Sequence, residues 1–330
     1  MATVIDSTNW RLSGWTAQQL TSALEDLLER LDRAFDIGET VWVGDDLQIQ
    51  SVYDDLDLWS LRDPGSPIKI DDNIWQELAA ALGQTRRYLD EDPWPPGFDD
   101  FTISINGGAP NSNPDVAWAH HSVRSGTAVA CLGLTLKGVF PTTSASGTVS
   151  LHWTGDAKSC AHFWREAIDV ERDSPATLER LAPYAYPGIY FVPGVWHGLG
   201  SLSGGYYANS VELRRYLAIL SDDGAWAFTA PPPAQVRTEA QGHGAEKPSS
   251  HLIVQRFARL ALNVTPENPD VYRDRTCRTA REVDVHGETL YFGWHGKLQL
   301  HQNRVHIHAP ASGTQGKIIV GIIHEHLPLP

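Results

Sequence analysis

Tyr291-Phe-Gly-Trp-His-Gly-Lys-Leu-Gln-Leu300 alternates residue by residue, which is the period of a strand and not of a helix. Phe292, Trp294, Leu298 and Leu300 fall on one face; Tyr291, His295, Lys297, Gln299 and His301 fall on the other. The next run, Arg304-Val-His-Ile-His308, repeats the pattern, with Arg304, His306 and His308 opposite Val305 and Ile307. Lys317 to Ile323 is nearly all apolar and ends in His324-Glu-His326. Adjoining strands with one apolar side and one cationic, titratable side predict a sheet with one face on a core. The other face would then meet an anionic ligand. Eight of the fourteen histidines lie in the last eighty residues, so the imidazoles are concentrated where these strands are.

Upstream of these strands, His251 to Leu262 has the spacing of an amphipathic helix, and Arg281 to Val285 reads as a further strand. Ala230-Pro-Pro-Pro-Ala opens a stretch rich in Pro, Gly, Gln, Glu and Ser that runs to Ser250 and reads as a flexible linker. Before it, Leu20, Leu24, Leu27, Leu28, Leu31 and Phe35 recur at helical spacing, with Thr16 as N-cap and Gly38 as terminator. A second helix is predicted from about Asn73 to Leu89, capped by Asp71 or Asp72. Thr40 to Val43, Phe101 to Ile105, Thr127 to Leu134, Thr148 to Trp153 and Ile189 to Val192 read as strands. His162 to Ile168, Thr177 to Leu181 and Val211 to Leu220 read as helices. Strands and helices mix without regular βαβ alternation, so the expected class is α+β and not a doubly wound sheet. The expected organisation is a mixed α+β domain over 1–230, a linker over 231–250, and a small domain over 251–330. That small domain would be one helix followed by a four-stranded antiparallel sheet.

The net charge of −14 argues against a general nucleic-acid binder, but it is unevenly spread. From Ala245 onward there are ten Lys/Arg and eight Asp/Glu, a net of +2, whereas the remainder carries 16 basic and 32 acidic residues. An anionic partner would therefore meet the C-terminal part. The three cysteines are widely spaced with no CxxC, the pattern of reduced thiols in a cytoplasmic protein. Met1 to Trp15 has no basic segment followed by an apolar run, and no run approaches the ~20 apolar residues that span a bilayer, so neither secretion nor a membrane partner is expected.

The candidate site residues are His295, Lys297, Arg304, His306, His324 and His326, with Tyr291 and His308 nearby. Cleavage of RNA through the ribose 2′-OH needs a base, an acid and a cation for the phosphorane. Imidazole titrates in the range required for the first two, and guanidinium can grip phosphate through two donors. The same residues admit a metal reading. His306, His308, His324 and His326 form two His-x-His pairs, and imidazole is a common ligand of zinc or iron. In the first domain, Tyr186-Pro-Gly-Ile-Tyr-Phe-Val-Pro-Gly-Val-Trp-His-Gly198 sets His197 after a Pro-Gly turn and resembles the second motif of cupins. There, a histidine at such a place binds metal. His120-His121 with Asp115, Trp118 and Arg124 would make a ligand pocket, or else a loop-to-strand junction. P-loop, GxGxxG, GxSxG and HExxH motifs do not occur.

From about Ser250 onward the order of one helix, then antiparallel strands, with Arg on the penultimate strand and His at the end, resembles the RelE/ParE superfamily of bacterial toxins. The residues that carry the likeness are Trp294-His-Gly-Lys297, Arg304-Val-His306 and Ile319-Val-Gly-Ile-Ile-His324. In ribosome-dependent members, cationic and acid–base side chains on the sheet cleave mRNA by 2′-OH attack. The resemblance implies that Arg304 stabilises the phosphate, that His324 or His326 is the acid or base, and that Lys297 and His295 line the floor. The expected function is thus that of a toxin-like or defence-related protein. Its C-terminal domain would cleave or bind RNA, on or off the ribosome, without a cofactor. Its acidic domain would sense or bind an unknown protein or small molecule. A His-dependent zinc or iron enzyme and a non-catalytic protein-binding module stand as the alternatives.

Overall fold

The computed structural model describes residues 2–89, 94–230 and 248–330. The chain is α+β, and it forms two compact units, Met1–Glu171 and Arg172–Pro330. This places the boundary well before the expected one. Residues 172–230 join the last eighty in one unit because the strand Ile189–Phe191 pairs in parallel with Ile318–Val320. Ile189–Phe191 has only three residues and its partner lies far along the chain, so local sequence does not show the pairing. The expected linker falls outside the described residues except for 248–250, where Ser249 already caps a helix.

The first unit contains strands β1 (Ala2–Ile5), β2 (Thr40–Val43), the hairpin β3 (Ser51–Tyr53) and β4 (Leu56–Asp57), β5 (Arg86–Arg87), β6 (Thr102–Ile105), β7 (Asn111–Ser112), β8 (Val129–Leu132), β9 (Gly138–Ser144) and β10 (Gly147–Trp153). Its helices are α1 (Ala17–Asp36), α2 (Asp46–Ile49), α3 (Asp72–Gln84), α4 (Pro114–Arg124) and α5 (Ala157–Val170). The main sheet runs β5-β2-β1-β8-β10-β9-β6-β7, and its first five strands are parallel. Helices cover both faces, so β1 is apolar on both: Ile5 packs with α1 and α3, and Val4 packs with α4. Thr16 closes a capping box with Gln19 at the start of α1, as its spacing predicts. From β1 the chain moves to β2 on one side and returns to β8 on the other. The sheet therefore has its topological switch point between β1 and β8.

The second unit contains α6 (Pro175–Ala185), β11 (Ile189–Phe191), a 3-10 turn over Val195–Ser201, α7 (Gly205–Ile219), the short α8 (Ala225–Ala227) and α9 (Ser250–Arg259). Then follow β12 (Val264–Pro266), α10 (Pro269–Arg273), α11 (Arg275–Thr279), the hairpin β13 (Glu282–Val285) and β14 (Glu288–Tyr291), β15 (Trp294–Lys297), β16 (Arg304–His308) and β17 (Ile318–His324). The five-stranded sheet has the order β11-β17-β16-β15-β12, antiparallel except for β11 against β17.

The stretch from Tyr291 to Leu300 is not one strand. At Phe292 and Gly293 the chain leaves the β13–β14 hairpin and enters the main sheet, and the amide of Phe292 donates to the Arg281 carbonyl. Phe292 and Trp294 therefore do not share a face. Phe292 is buried with Leu290, Val285, Val192 and Ile319, whereas Trp294 is half-buried on the opposite side against Phe228. Leu300, expected inside, lies in the turn after β15 and is 72% exposed. Gly296 lets Tyr216 of α7 press on the sheet, since a Cβ there would lie 2.7 Å from the tyrosine ring. Among the described residues, no helix is long and apolar enough to cross a membrane.

Candidate functional site

Strand register puts the candidate residues into two rows on one face of the second unit's sheet. Lys297 lies opposite Arg304, and Arg304 lies opposite His324, so three strands present a cation, a cation and an imidazole side by side. All three are half-exposed. Arg304 Nε has no hydrogen-bond partner. Burial lowers the Arg304 pKa, which still leaves a fixed positive charge.

The second row is Thr265, His295, His306 and Ile322. Here the structure corrects the expectation from sequence. Strand alternation predicts His295 and His306 on an open, ligand-facing surface, yet they are 5% and 0% exposed. This part of the face lies over a buried carboxylate, Glu267. Its Oε1 is 2.9 Å from Arg281 Nε, 3.4 Å from His295 Nδ1 and 3.9 Å from His306 Nδ1. Arg281 is itself fully buried and donates through Nη1 to the carbonyls of Cys277 and Pro328. Burial alone would raise the Glu267 carboxyl, but the close contacts and charges of His295 and Arg281 outweigh it and hold the pKa at about 2. Burial, with His295 and Arg281 close by, drives His306 down to about 3, so His306 is neutral. Tyr291 Oη, Arg281 Nη2, His295 Nδ1 and both ring nitrogens of His306 are buried without a partner in hydrogen-bond geometry, so the Glu267–His295 contact is one of charge and proximity.

Backbone contacts fix two imidazole tautomers. His324 Nδ1 accepts from the His326 amide at 3.1 Å, so His324 carries its proton on Nε2. His326 Nδ1 lies 2.8 Å from the Leu327 carbonyl, which can only accept, so His326 keeps its proton on Nδ1. The two histidines at and just past the end of β17 thus differ in which nitrogen donates.

The metal alternatives do not come together. Among the described residues, no group of three or more His, Cys, Asp or Glu side chains is arranged to hold a metal ion. His308 is tied to the Ala309 carbonyl, and His324 sits beside Arg304. His197 is exposed on the 3-10 turn Val195–Ser201. His120 and His121 lie within α4, with no loop-to-strand junction there, and Asn113 and Pro114 supply that helix's cap and first position. The two rings serve different partners. His120 Nδ1 meets Thr142 Oγ1 at 2.9 Å, and His121 Nε2 lies 2.7 Å from Asp99 Oδ1.

The first unit has a polar cluster that the sequence patterns do not single out. Asp6 follows β1 directly, is fully buried, and accepts from Trp153 Nε1 at 2.8 Å and Thr8 Oγ1 at 2.7 Å. Asp115, in the first turn of α4, accepts from the Ser7 amide at 2.9 Å and Tyr88 Oη at 2.6 Å. Burial raises both carboxyls, Asp115 to about 6, against these hydrogen bonds. Asp6, Thr8, Asn9, Arg11, Asn113 and Thr135 border a cleft of about 670 Å³. It opens where the loops leave the carboxyl ends of β1 and β8, the usual place for ligands in such sheets. The legible signal was a carboxylate-hydroxyl run, Asp6-Ser-Thr-Asn9, directly after an apolar segment.

Comparison with family models, with curated proteins and with solved structures finds no match for this chain.

Proposed function

We propose that the second unit cleaves RNA by a RelE-like, metal-independent attack of the ribose 2′-OH. The observation that carries this reading is the in-register row Lys297, Arg304 and His324 on three adjacent strands. A phosphodiester laid across it would meet fixed charge from Arg304 and Lys297 where the phosphorane builds up negative charge. His324, with its proton on Nε2, is set to donate a hydrogen bond to the leaving 5′ oxygen. This chemistry requires no metal, and the excess of basic over acidic residues after Ala245 favours an anionic substrate.

The purified full chain, given single-stranded RNA or translated mRNA in the presence of chelator, should leave 2′,3′-cyclic phosphate ends. Arg304→Ala should lower the rate on the order of 10²–10³-fold, the loss typical of one transition-state donor. Absence of cleavage by the folded wild type would favour a binding module. Loss of cleavage in chelator would favour the metal reading.

The first unit supports a separate reading as a sensing domain that binds a ligand in its switch-point cleft. The observation behind it is the buried Asp6 carboxylate bordering the cleft, held by neutral donors, with the buried Asp115 carboxylate close by.

A further inference from the structure

We propose that His295 is the base of this reaction and that Glu267, anchored by Arg281, is its positioning residue; this rests on the RNA-cleaving reading above. The His295 ring makes two contacts. Its Nδ1 lies 3.4 Å from Glu267 Oε1, and its Nε2 lies 3.2 Å from Thr265 Oγ1. That Nδ1 contact is close but not in hydrogen-bond geometry; a carboxylate can only accept, so once the contact tightens it favours the tautomer with the proton on Nδ1 and leaves the Nε2 lone pair facing a hydroxyl. Nucleophile, base and orienting carboxylate are related in this way wherever a histidine activates a hydroxyl, and such contacts are often loose before substrate binds.

Position on the sheet points the same way. Thr265 belongs to edge strand β12 and is half-exposed, so its hydroxyl is the outer end of a line running inward through His295 and Glu267 to Arg281. Turning the Thr265 side chain aside would uncover Nε2 to a substrate hydroxyl in the same place. His295 stands on β15, on one side of Arg304, and His324 stands on β17, on the other. In-line displacement at phosphorus needs the groups that serve the entering and leaving oxygens on opposite sides of the phosphate, and the strand of Arg304 runs between these two imidazoles. In the step, the 2′ oxygen forms a bond to phosphorus as its proton passes to His295 Nε2. The bond from phosphorus to the 5′ oxygen breaks; His324 Nε2–H hydrogen-bonds that oxygen, which takes a proton from solvent, and His295 returns its proton to solvent. A 2′,3′-cyclic phosphate and a free 5′-OH result.

The groups around His295 are the Glu267 carboxylate, the Arg281 guanidinium, neutral His306 across the strand pair, and Thr265. Arg304, Tyr291 and Cys277 are further charged or titratable groups near Glu267. Glu267→Gln keeps the shape and removes the charge that orients the His295 ring. In the full chain it should lower kcat about tenfold with KM unchanged, and Glu267→Asp, which keeps the charge, should recover part of that loss. A second measurement requires no variant: nitrogen-15 shifts of histidine in the wild type should report the Nδ1–H tautomer for His295 and Nε2–H for His324. Cleavage with kcat unchanged in Glu267→Gln, or a Glu267→Asp variant as slow as Glu267→Gln, would overturn the assignment and leave the RNA-cleaving reading standing. An Nε2–H tautomer at His295 would overturn it whatever the activity. A wild type that does not cleave RNA would remove both.

Discussion

His295 and His306 stand opposite each other on antiparallel β15 and β16, with ring centroids 5.6 Å apart, and both turn Nδ1 toward the single carboxylate of Glu267. One carboxylate already paired with Arg281 cannot support two imidazolium ions in a buried site. His306, with no hydrogen-bond partner at either nitrogen, stays neutral.

Neutral His306 makes the second unit sensitive to acid. Its folded pKa of about 3 lies below the ordinary 6.5, so between those values the unfolded chain binds a proton that the folded chain does not. The stability it contributes is complete above pH 6.5 and is lost as pH falls toward 3, at up to about 1.4 kcal/mol per pH unit. Glu267, held at about 2, adds a loss of the same sign, but only below its ordinary 4.5. Comparing denaturant unfolding of His306→Leu and wild type at pH 7 and pH 5 isolates the first effect. The difference should shift in the variant's favour by on the order of 2 kcal/mol at the lower pH. An unchanged difference would mean that His306 titrates normally in the folded protein.

Local pattern and long-range pairing explain what the sequence disclosed. Helix α1, with its Thr16 cap, and strand β2 are written in residues a few positions apart, and both stand as expected. The face shared by Lys297, Arg304 and His324 was legible from strand alternation because each lies within a regular strand. The break at Phe292 and Gly293 was not, because alternation continues across it while the chain changes sheets. The burial of His295 and His306 depends on Glu267 and Arg281, which reach them only through tertiary folding. The same holds for Asp6 and Asp115, which are far apart in sequence and meet across Ser7 and Asn113.

Gly321 tests the corrected placement of Phe292. The register of β16 against β17 shifts between His306 and Ile307, and a Cβ at Gly321 would lie 2.3 Å from ring atoms of Phe292. Gly321→Ala should therefore destabilise the second unit by about 1–3 kcal/mol, the usual cost of overpacking. Phe292→Leu removes the ring atoms in the way, so the double variant should lose less than the two single losses added together. Strict additivity in a double-mutant cycle of melting or denaturant data would show that Phe292 does not cover Gly321.

Asp115 provides a test of whether the first unit holds a site. Its carboxyl accepts from the Ser7 amide and from Tyr88 Oη, yet burial still raises it to about 6. A raised carboxyl pKa means that the folded state holds the proton more tightly than the unfolded chain does. Its stabilising contribution is present at low pH and is lost as pH rises from about 4 through 6. At neutral pH the ionised group costs the fold on the order of 3 kcal/mol, because each pH unit across that window is worth about 1.4 kcal/mol. Asp115→Asn should thus raise the melting temperature of the first unit at about pH 8, while the advantage should fade near pH 4. Stability gained by removing a buried carboxylate close to the cleft-lining Asp6 would mark a group that is not kept for packing. If Asp115→Asn instead destabilises the unit equally at both pH values, its hydrogen bonds outweigh its charge. The carboxylate would then be structural, and the cleft would lose its best evidence for a ligand.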